Sequence, residues 1–313
     1  MRYTLKQLNY IEVAARHKSI SRASQELNIS PSSISSAIDA VEQDTKRALF
    51  DRLPSKGIAP TQFGLTFLSH ARQFLKAHRN FENSIHEQSS IIGGGIRMGC
   101  FAPAAPIILP LVIQEIAQAH PDILIQFSEG DSLDIYRDLL ESNIDLAFGF
   151  QADPTVANLT FKHLFTASPH IVLPKDHPLA QETVLSLQDV HEFPMILLDL
   201  KLTRDYMFGL FTKEGLTPKI SYSSKSSEMV RSMVAAGLGY SIFHLRPLKK
   251  QQYTVGDLVR IPTIPSYQSV DFGILHKEDA ALSKVDKVMI QTCQHLQKTG
   301  AFDKVTLPHN TNL

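Results

Sequence analysis

The sequence predicts an N-terminal winged helix-turn-helix, mainly α, then one long helix, then a C-terminal α/β domain. Three observations carry this. Between Ser19 and Arg52 two short amphipathic patterns flank a tight polar turn. From Thr61 to about Glu87 apolar residues recur at +3 and +4 steps. From residue 96 to about 300, short β-type runs alternate with helical ones, the signature of βαβ units. The length of 313 residues, with 43% apolar and 20% charged, suits a soluble chain of two or more domains.

Thr4 is placed to cap a first helix from about Leu5 to His17, with Leu5, Leu8, Ile11 and Ala15 at helical spacing as a floor. A second helix, capped by Ser21, runs to about Leu27 and turns Ala23 and Leu27 inward. Asn28-Ile29 makes the turn. Ser30 is then an N-cap, and Pro31 sits at the first helical position, where its missing N–H costs nothing. This third helix reaches about Asp44 and buries Ile34, Ala37, Ile38 and Val41. Its other face carries Ser32, Ser35, Ser36, Asp39 and Gln43. Short polar side chains on an exposed helix after a tight turn suit a DNA major groove. The expected DNA-facing set is Ser21, Arg22, Ser30, Ser32, Ser33, Ser35, Ser36 and Asp39. Ala48–Arg52 reads as a strand that returns through Ile58-Ala59 after a turn at 54–57, a wing that sets Arg52 and Lys56 to meet phosphate or the minor groove.

In the long helix Gly64, Phe67, Ala71, Phe74, His78, Phe81 and Ile85 form three heptads, the mark of a two-helix seam. The helix is roughly 40 Å long at 1.5 Å per residue, too long for a sixty-residue domain to cover, so dimerisation through it is expected. The glycine-rich run at 89–95 is a hinge, not a phosphate loop, because no Lys-Ser/Thr follows and a strand does. Strands are expected at 96–100, 123–127, 145–150, 159–165, 170–173, 194–198, 219–223, 238–243 and 270–276. Helices are expected at 107–119, 133–141, 203–214, 226–236 and 281–298. The opening βαβαβ implies a parallel sheet with right-handed crossovers.

Residues 5 to 64 resemble the DNA-binding domain of LysR-type transcriptional regulators. The resemblance lies in Leu5-Lys6-Gln7-Leu8 with Tyr10 and Ile11, and in Ser19 to Leu27. It continues in Ser30, Ile34-Ser35, Ile38, Val41-Glu42, Leu49-Phe50-Asp51-Arg52, Pro60-Thr61 and Gly64. The length and layout of the remainder extend it over nearly the whole chain. The resemblance implies an effector domain of two Rossmann-like subdomains, periplasmic-binding-protein-like, crossed twice by the chain near Thr166–Pro169 and 265–269. The expected boundaries are 1–60 for DNA binding, 61–90 for the linker helix and 91–300 for the effector domain. Subdomain I takes about 95–166 and 269–300, subdomain II about 167–268, and 301–313 is a polar tail of poor order. The family further implies a homo-oligomer, a dimer through the linker helix and a tetramer built as a dimer of dimers, on an interrupted inverted repeat in double-stranded promoter DNA, where RNA polymerase is a further partner. Effector binding would alter DNA bending. The sequence departs from the family pattern where Pro31 replaces a usual Gln, and where Ser36, Asp39 and Ala40 replace frequent Arg, Asn or basic residues. Its groove face therefore offers no bidentate base reader, and readout shifts toward DNA shape.

In open α/β sheets ligands bind beyond the C-terminal ends of strands, between the halves. That rule selects Cys100, Phe101, Ala102 and Pro103, then Phe150, then Asp199 and Thr203. Ser224 and Ser226 come next, then Phe243, His244 and Arg246. Leu198 and Leu245 flank these. The family often senses small carboxylates or aromatic acids at helix N-termini. Here Phe101, Phe150 and Phe243 favour a more apolar or aromatic small-molecule effector. His244 and Arg246 are candidates to pair with an acid group, or to bond Asp199 or backbone instead. Ser226 and Ser227 are equally explained as helix caps.

Other classes find less support. No apolar run reaches about 18 residues, so no membrane span is expected. Met1 to Gln7 leads straight into an amphipathic helix without a signal-peptide core, so a cytoplasmic protein is expected. Net charge is zero, with an excess of +4 confined to residues 1–90, which fits few and local phosphate contacts. Cys100 and Cys293 make no CxxC pair or disulfide framework. A redox sensor through Cys100 is an alternative, as is a solute-binding or enzymatic two-lobed protein with an accessory DNA-binding domain. GxSxG, HExxH and GxxxxGK[ST] are absent, and His163, His170 and His177 lack a carboxylate set to complete a metal site. No cofactor, metal or catalytic residue is expected.

Overall fold

A computed structural model describes residues 3–53, 57–85, 93–152, 158–248, 253–264, 267–278 and 280–307. The chain opens with helices α1 (Leu5–His17), α2 (Ile20–Leu27) and α3 (Pro31–Thr45), then the hairpin β1 (Phe50–Leu53) and β2 (Gly57–Pro60). Thr4 closes a capping box with Gln7 on α1. On α2 the cap is Ser19, not Ser21. Ser19 is the extended residue whose hydroxyl accepts from the Arg22 amide, so the helix starts one residue before Ser21. Asn28 ends α2 in the left-handed region, and Ser30 caps α3 with Pro31 behind it. Ile11, Ala23, Ile34, Ala37, Ile38 and Val41 meet in one core with Leu49, Ile58 and Leu68. The Glu42 carboxylate accepts from the Leu49 and Phe50 amides, which ties the wing to α3.

Helix α4 (Gln62–Ile85) leaves the wing directly. Gly64 is required there, because a Cβ would lie 2.0 Å from the Leu49 carbonyl oxygen. Gly64 therefore serves the contact with the wing. Leu68, Ala71 and Leu75 turn inward, Leu75 and Ala71 against Leu8. Phe74 and Phe81, on the expected seam, are 41% and 62% exposed.

Helix α4 docks onto the effector domain through buried charge. Lys76 Nζ lies 3.1 Å from Asp145 and 2.8 Å from Asp286, both carboxylates being almost fully buried. Arg72 Nη1 donates to the Glu141 carbonyl at 3.2 Å, and its Nε lies 3.6 Å from Glu12 of α1. Arg97 lies 3.6 Å from Asp145 and 4.0 Å from the same Glu12. One junction thus joins α1, α4 and the effector domain.

The effector domain follows as β3 (Gly94–Phe101), α5 (Ala105–Ala119), β4 (Ile123–Gly130), α6 (Ser132–Leu140), β5 (Leu146–Phe150), β6 (Leu159–Ala167) and β7 (His170–Pro174). It continues with α7 (Leu187–Val190), β8 (Pro194–Leu198), α8 (Lys201–Lys213), β9 (Lys219–Ser224), α9 (Ser227–Ala235), β10 (Ser241–Phe243), β11 (Leu258–Pro262), β12 (Val270–Lys277) and α10 (Lys284–Lys298). The first sheet runs β4-β3-β5-β12-β6. The expected parallel βαβαβ occupies one side, and β12 pairs antiparallel with β5 and β6, so the sheet is mixed. The second lobe carries β10-β7-β11 and β8-β9, linked by a Met195–Tyr240 bridge. Strand β10 starts later than the expected 238, because Gly237 and Gly239 take positive φ and a Cβ on Gly239 would meet the Pro194 carbonyl at 2.3 Å.

The expectation of a poorly ordered tail is corrected for residues 301–307. Phe302 and Val305 are buried, and Phe302 packs on the Phe165 ring at 5.5 Å. Phe302 and Val305, with Ala301 against the same core, seat it. Residues 308–313 and most of the expected hinge at 89–95 lie outside the described residues.

The junction yields a stability prediction. Burial alone would raise the Asp145 pKa, but Lys76 and Arg97 outweigh it and hold the carboxyl below its ordinary value. Its stabilisation is therefore present at neutral pH and is lost as pH falls through that depressed value. Lys76→Met leaves the two carboxylates without their shared cation, which costs about 3 kcal/mol. Urea unfolding should show that loss at neutral pH, and the gap to the wild type should narrow on acidification below the usual carboxylate range.

Candidate functional site

Two sites emerge, one on the N-terminal helices and one in the α/β domain. At the first, Ser21, Arg22, Ser30, Ser32, Ser33 and Ser36 are exposed on α2 and α3, with Ser35 and Asp39 half-buried beside them. The Ser30 hydroxyl lies 2.8 Å from that of Ser32 and 2.9 Å from that of Ser33, and it accepts from the Ser33 amide. The α3 N-terminus therefore presents a compact row of small hydroxyls. Arg52, on the wing, lies 3.8 Å from Asp39, the arginine largely exposed and the carboxylate half-exposed. Such a pair is weak, so a phosphate can draw Arg52 away at little cost. Lys56 lies outside the described residues.

The second site is the crevice between the lobes, closed around a free space of about 20 Å3 and lined by Phe101, Pro103, Phe150, Leu198, Thr203, Met207, Arg231, Ile242, Phe243, His244 and Leu245. Strand ends from both lobes position these residues: β3 delivers Phe101, β5 Phe150, β8 Leu198 and β10 Ile242 and Phe243. The rings form a continuous series. Phe150 meets Phe101 at 5.3 Å and His244 at 5.7 Å, and His244 meets Tyr206 at 4.8 Å, all edge-on. Edge-to-face pairing of this kind holds the lobes together. His244 is buried, burial holds its pKa down to about 4, and its Nε2 has no hydrogen-bond partner.

Arg231, the charged side chain of the lining, is matched. Arg231, 2% exposed, donates to Glu228 at 2.7 Å and to the Leu245 carbonyl at 3.4 Å, and lies 4.3 Å over the Phe243 ring. Asp131 bridges the lobes: one oxygen accepts from the Leu133 amide at the start of α6, the other from the Lys201 amide at the start of α8, at 3.1 Å.

Several expected effector residues stand elsewhere. Cys100 is fully buried in the core of the first lobe, one residue before the crevice. Ala102 donates its amide to Gly130 and does not line the space. Asp199 pairs with Arg204 at 2.7 Å. Ser224 accepts from the Ser226 amide, and Ser226 caps α9. Arg246 points away: its Nε donates to the carbonyls of Lys304 and Thr306, because the seated tail offers oxygens that the apolar crevice does not. Met207, Ile242, Arg231 and Asp131 escaped the sequence reading. A signal existed for Arg231 in its i, i+3 spacing from Glu228, and for Asp131 in its capping place before α6.

The cysteines are not arranged for redox chemistry. Both are buried, burial raises both thiols, Cys100 the further and Cys293 to about 12, and reactive cysteines need the opposite shift. Among the described residues no cluster of His, Cys, Asp or Glu could hold a metal, and no helix is long and apolar enough to cross a membrane.

Comparison with known proteins adds to this. The LysR substrate binding domain matches residues 92–297, and the bacterial regulatory helix-turn-helix protein, lysR family, matches residues 5–65. The transcriptional regulator TtuA of Agrobacterium vitis is 26% identical over 241 residues, covering 76% of this chain and 79% of that protein. HinK, a LysR family regulator from Pseudomonas aeruginosa, is 31% identical over 94% of this chain and 98% of its own, with a TM-score of 0.62. A full-length OxyR variant from Pseudomonas aeruginosa, at 19% identity and 93% and 97% coverage, shares the fold with a TM-score of 0.75. With both of its halves matched, a helix-turn-helix for DNA and a two-lobed domain for an effector, this chain belongs to the LysR family of transcriptional regulators.

Proposed function

We propose that this regulator binds promoter DNA with α3 in the major groove and the wing on the backbone, and that a small molecule in the inter-lobe crevice sets how its DNA-binding domains are placed. The observation that carries this reading is the junction at Glu12, Arg72, Lys76, Arg97, Asp145 and Asp286, which ties the DNA-binding domain to the sheet whose strand ends form the crevice. A ligand moves such an equilibrium only through its different affinity for the two arrangements. Domain limits near 60, 90 and 300, with a chain crossing between lobes near 167 and 268, fit the sheet order. The cytoplasm, where promoter DNA lies, is the proposed location, and RNA polymerase the proposed further partner.

The effector-contacting set is Phe101, Pro103, Phe150, Thr203, Phe243 and His244. The DNA-contacting set is Ser21, Arg22, Ser30, Ser32, Ser33, Ser35, Ser36, Asp39 and Arg52, with Lys56 from the wing turn. The small hydroxyls at the start of α3 form single hydrogen bonds to base edges or phosphates, and sequence preference then rests on DNA shape and half-site spacing.

Self-association is proposed through α4, where the exposed Phe74 falls on the heptad series with His78 and Phe81. Sedimentation of Phe74→Glu should show a shift to smaller species at micromolar protein. An unchanged oligomer would move the interface off α4.

Footprinting on the chain's own upstream DNA tests the DNA half. Arg52→Ala should weaken binding to all sequences alike and lower the salt dependence by about one counterion. A sequence-selective loss would instead make Arg52 a base reader.

A further inference from the structure

We propose that the crevice takes an uncharged, single-ring aromatic molecule bearing one hydroxyl group, which hydrogen-bonds to His244 Nε2. The proposal rests on the reading of the crevice as the effector site, and names the class of ligand.

Four observations lead there. The free space is about 20 Å3, room for little more than one water, so a ligand enters only as the lobes part and a small body is favoured. Its walls are Phe101, Phe150 and Phe243 with Leu198, Met207 and Leu245, so a flat apolar body is matched on several sides. The one charged side chain in the lining is already satisfied: Arg231 is held by Glu228, the Leu245 carbonyl and the Phe243 face. Lastly, the cross-lobe helix start that would attract an acid is filled from within. The Asp131 carboxylate accepts from Lys201 at the head of α8 while it caps α6. A carboxylate ligand would be desolvated with no free cation in the lining to receive it.

His244 supplies the polar requirement. Its Nε2 is buried, unpartnered and on the crevice wall. The ring is neutral, so Nε2 donates or accepts according to tautomer. A hydroxyl group can answer either way. Thr203, the other polar group in the lining, is equally indifferent to charge.

The test compares para-cresol with para-toluate, two single-ring probes that differ in hydroxyl against carboxylate. Calorimetric titration and thermal shift are run on the full chain, on His244→Phe, His244→Gln and Phe150→Ala, with circular dichroism to check folding. The expected result is that para-cresol binds the wild type at least about tenfold more tightly than para-toluate. His244→Phe should cost para-cresol about tenfold, and His244→Gln should keep much of the affinity. If His244→Phe does not fold, the cresol-to-toluate ratio on the wild type decides alone. Tighter binding of para-toluate, lost in Phe150→Ala, overturns the uncharged class and leaves the crevice as the effector site. Binding that survives both His244→Phe and Phe150→Ala lies elsewhere and overturns the crevice reading as well. Failure of para-cresol to bind a folded wild type overturns the hydroxyl class.

Discussion

The arrangement of this molecule depends on the buried position of Lys76. Its ammonium meets two carboxylates that belong to different parts of the effector domain, Asp145 before β5 and Asp286 on α10. Neither acid is tolerable in that place without a cation, and Lys76 is not tolerable without an acid. Charge thus fixes where α4 lies on the first lobe. From there Arg72 and Arg97 share Glu12, so α1 is drawn into the same network. Polar, directional contacts thus connect the DNA-binding domain to the first lobe.

The crevice applies the complementary constraint. Its edge-on series from Phe101 through Phe150 and His244 to Tyr206 crosses from one lobe to the other. Asp131 adds a hydrogen-bonded link between α6 and α8. A ligand that enters must replace ring contacts with its own, so an aromatic body is favoured over a purely polar one. The lobes are held by many modest contacts, which is what an equilibrium open to small ligands needs.

Much of this was legible in the residues. Ser30 with Pro31, followed by Ile34, Ala37, Ile38 and Val41, specifies α3 through local rules alone, and those rules operate whatever packs around the helix. The three rings at 101, 150 and 243 were placed in the crevice because strand ends in a βαβ unit have few places to go. The failures share a cause. Ser19 and Ser21 are both good caps, and only the backbone conformation distinguishes them. Strand β11 (Leu258–Pro262) carries Arg260 amid apolar neighbours, and its pairing partner β7 lies some ninety residues away, so no local period announces it. Arg246 and Arg231 are alike in type. Which one faces the crevice is decided by the tail, whose carbonyls at Lys304 and Thr306 claim Arg246. Long-range competition for partners is not written in local spacing.

If the junction couples the two sites, the coupling must run in both directions, since linkage between binding events is reciprocal. DNA should therefore be felt at the crevice without any effector. The most direct measurement is amide hydrogen exchange on the full chain, free and bound to its own upstream DNA. The account predicts altered protection in α3 and α4, and also at the starts of α6 and α8 where Asp131 bridges the lobes. Changes confined to residues 5–85, with the crevice edges exchanging as in the free protein, would contradict it.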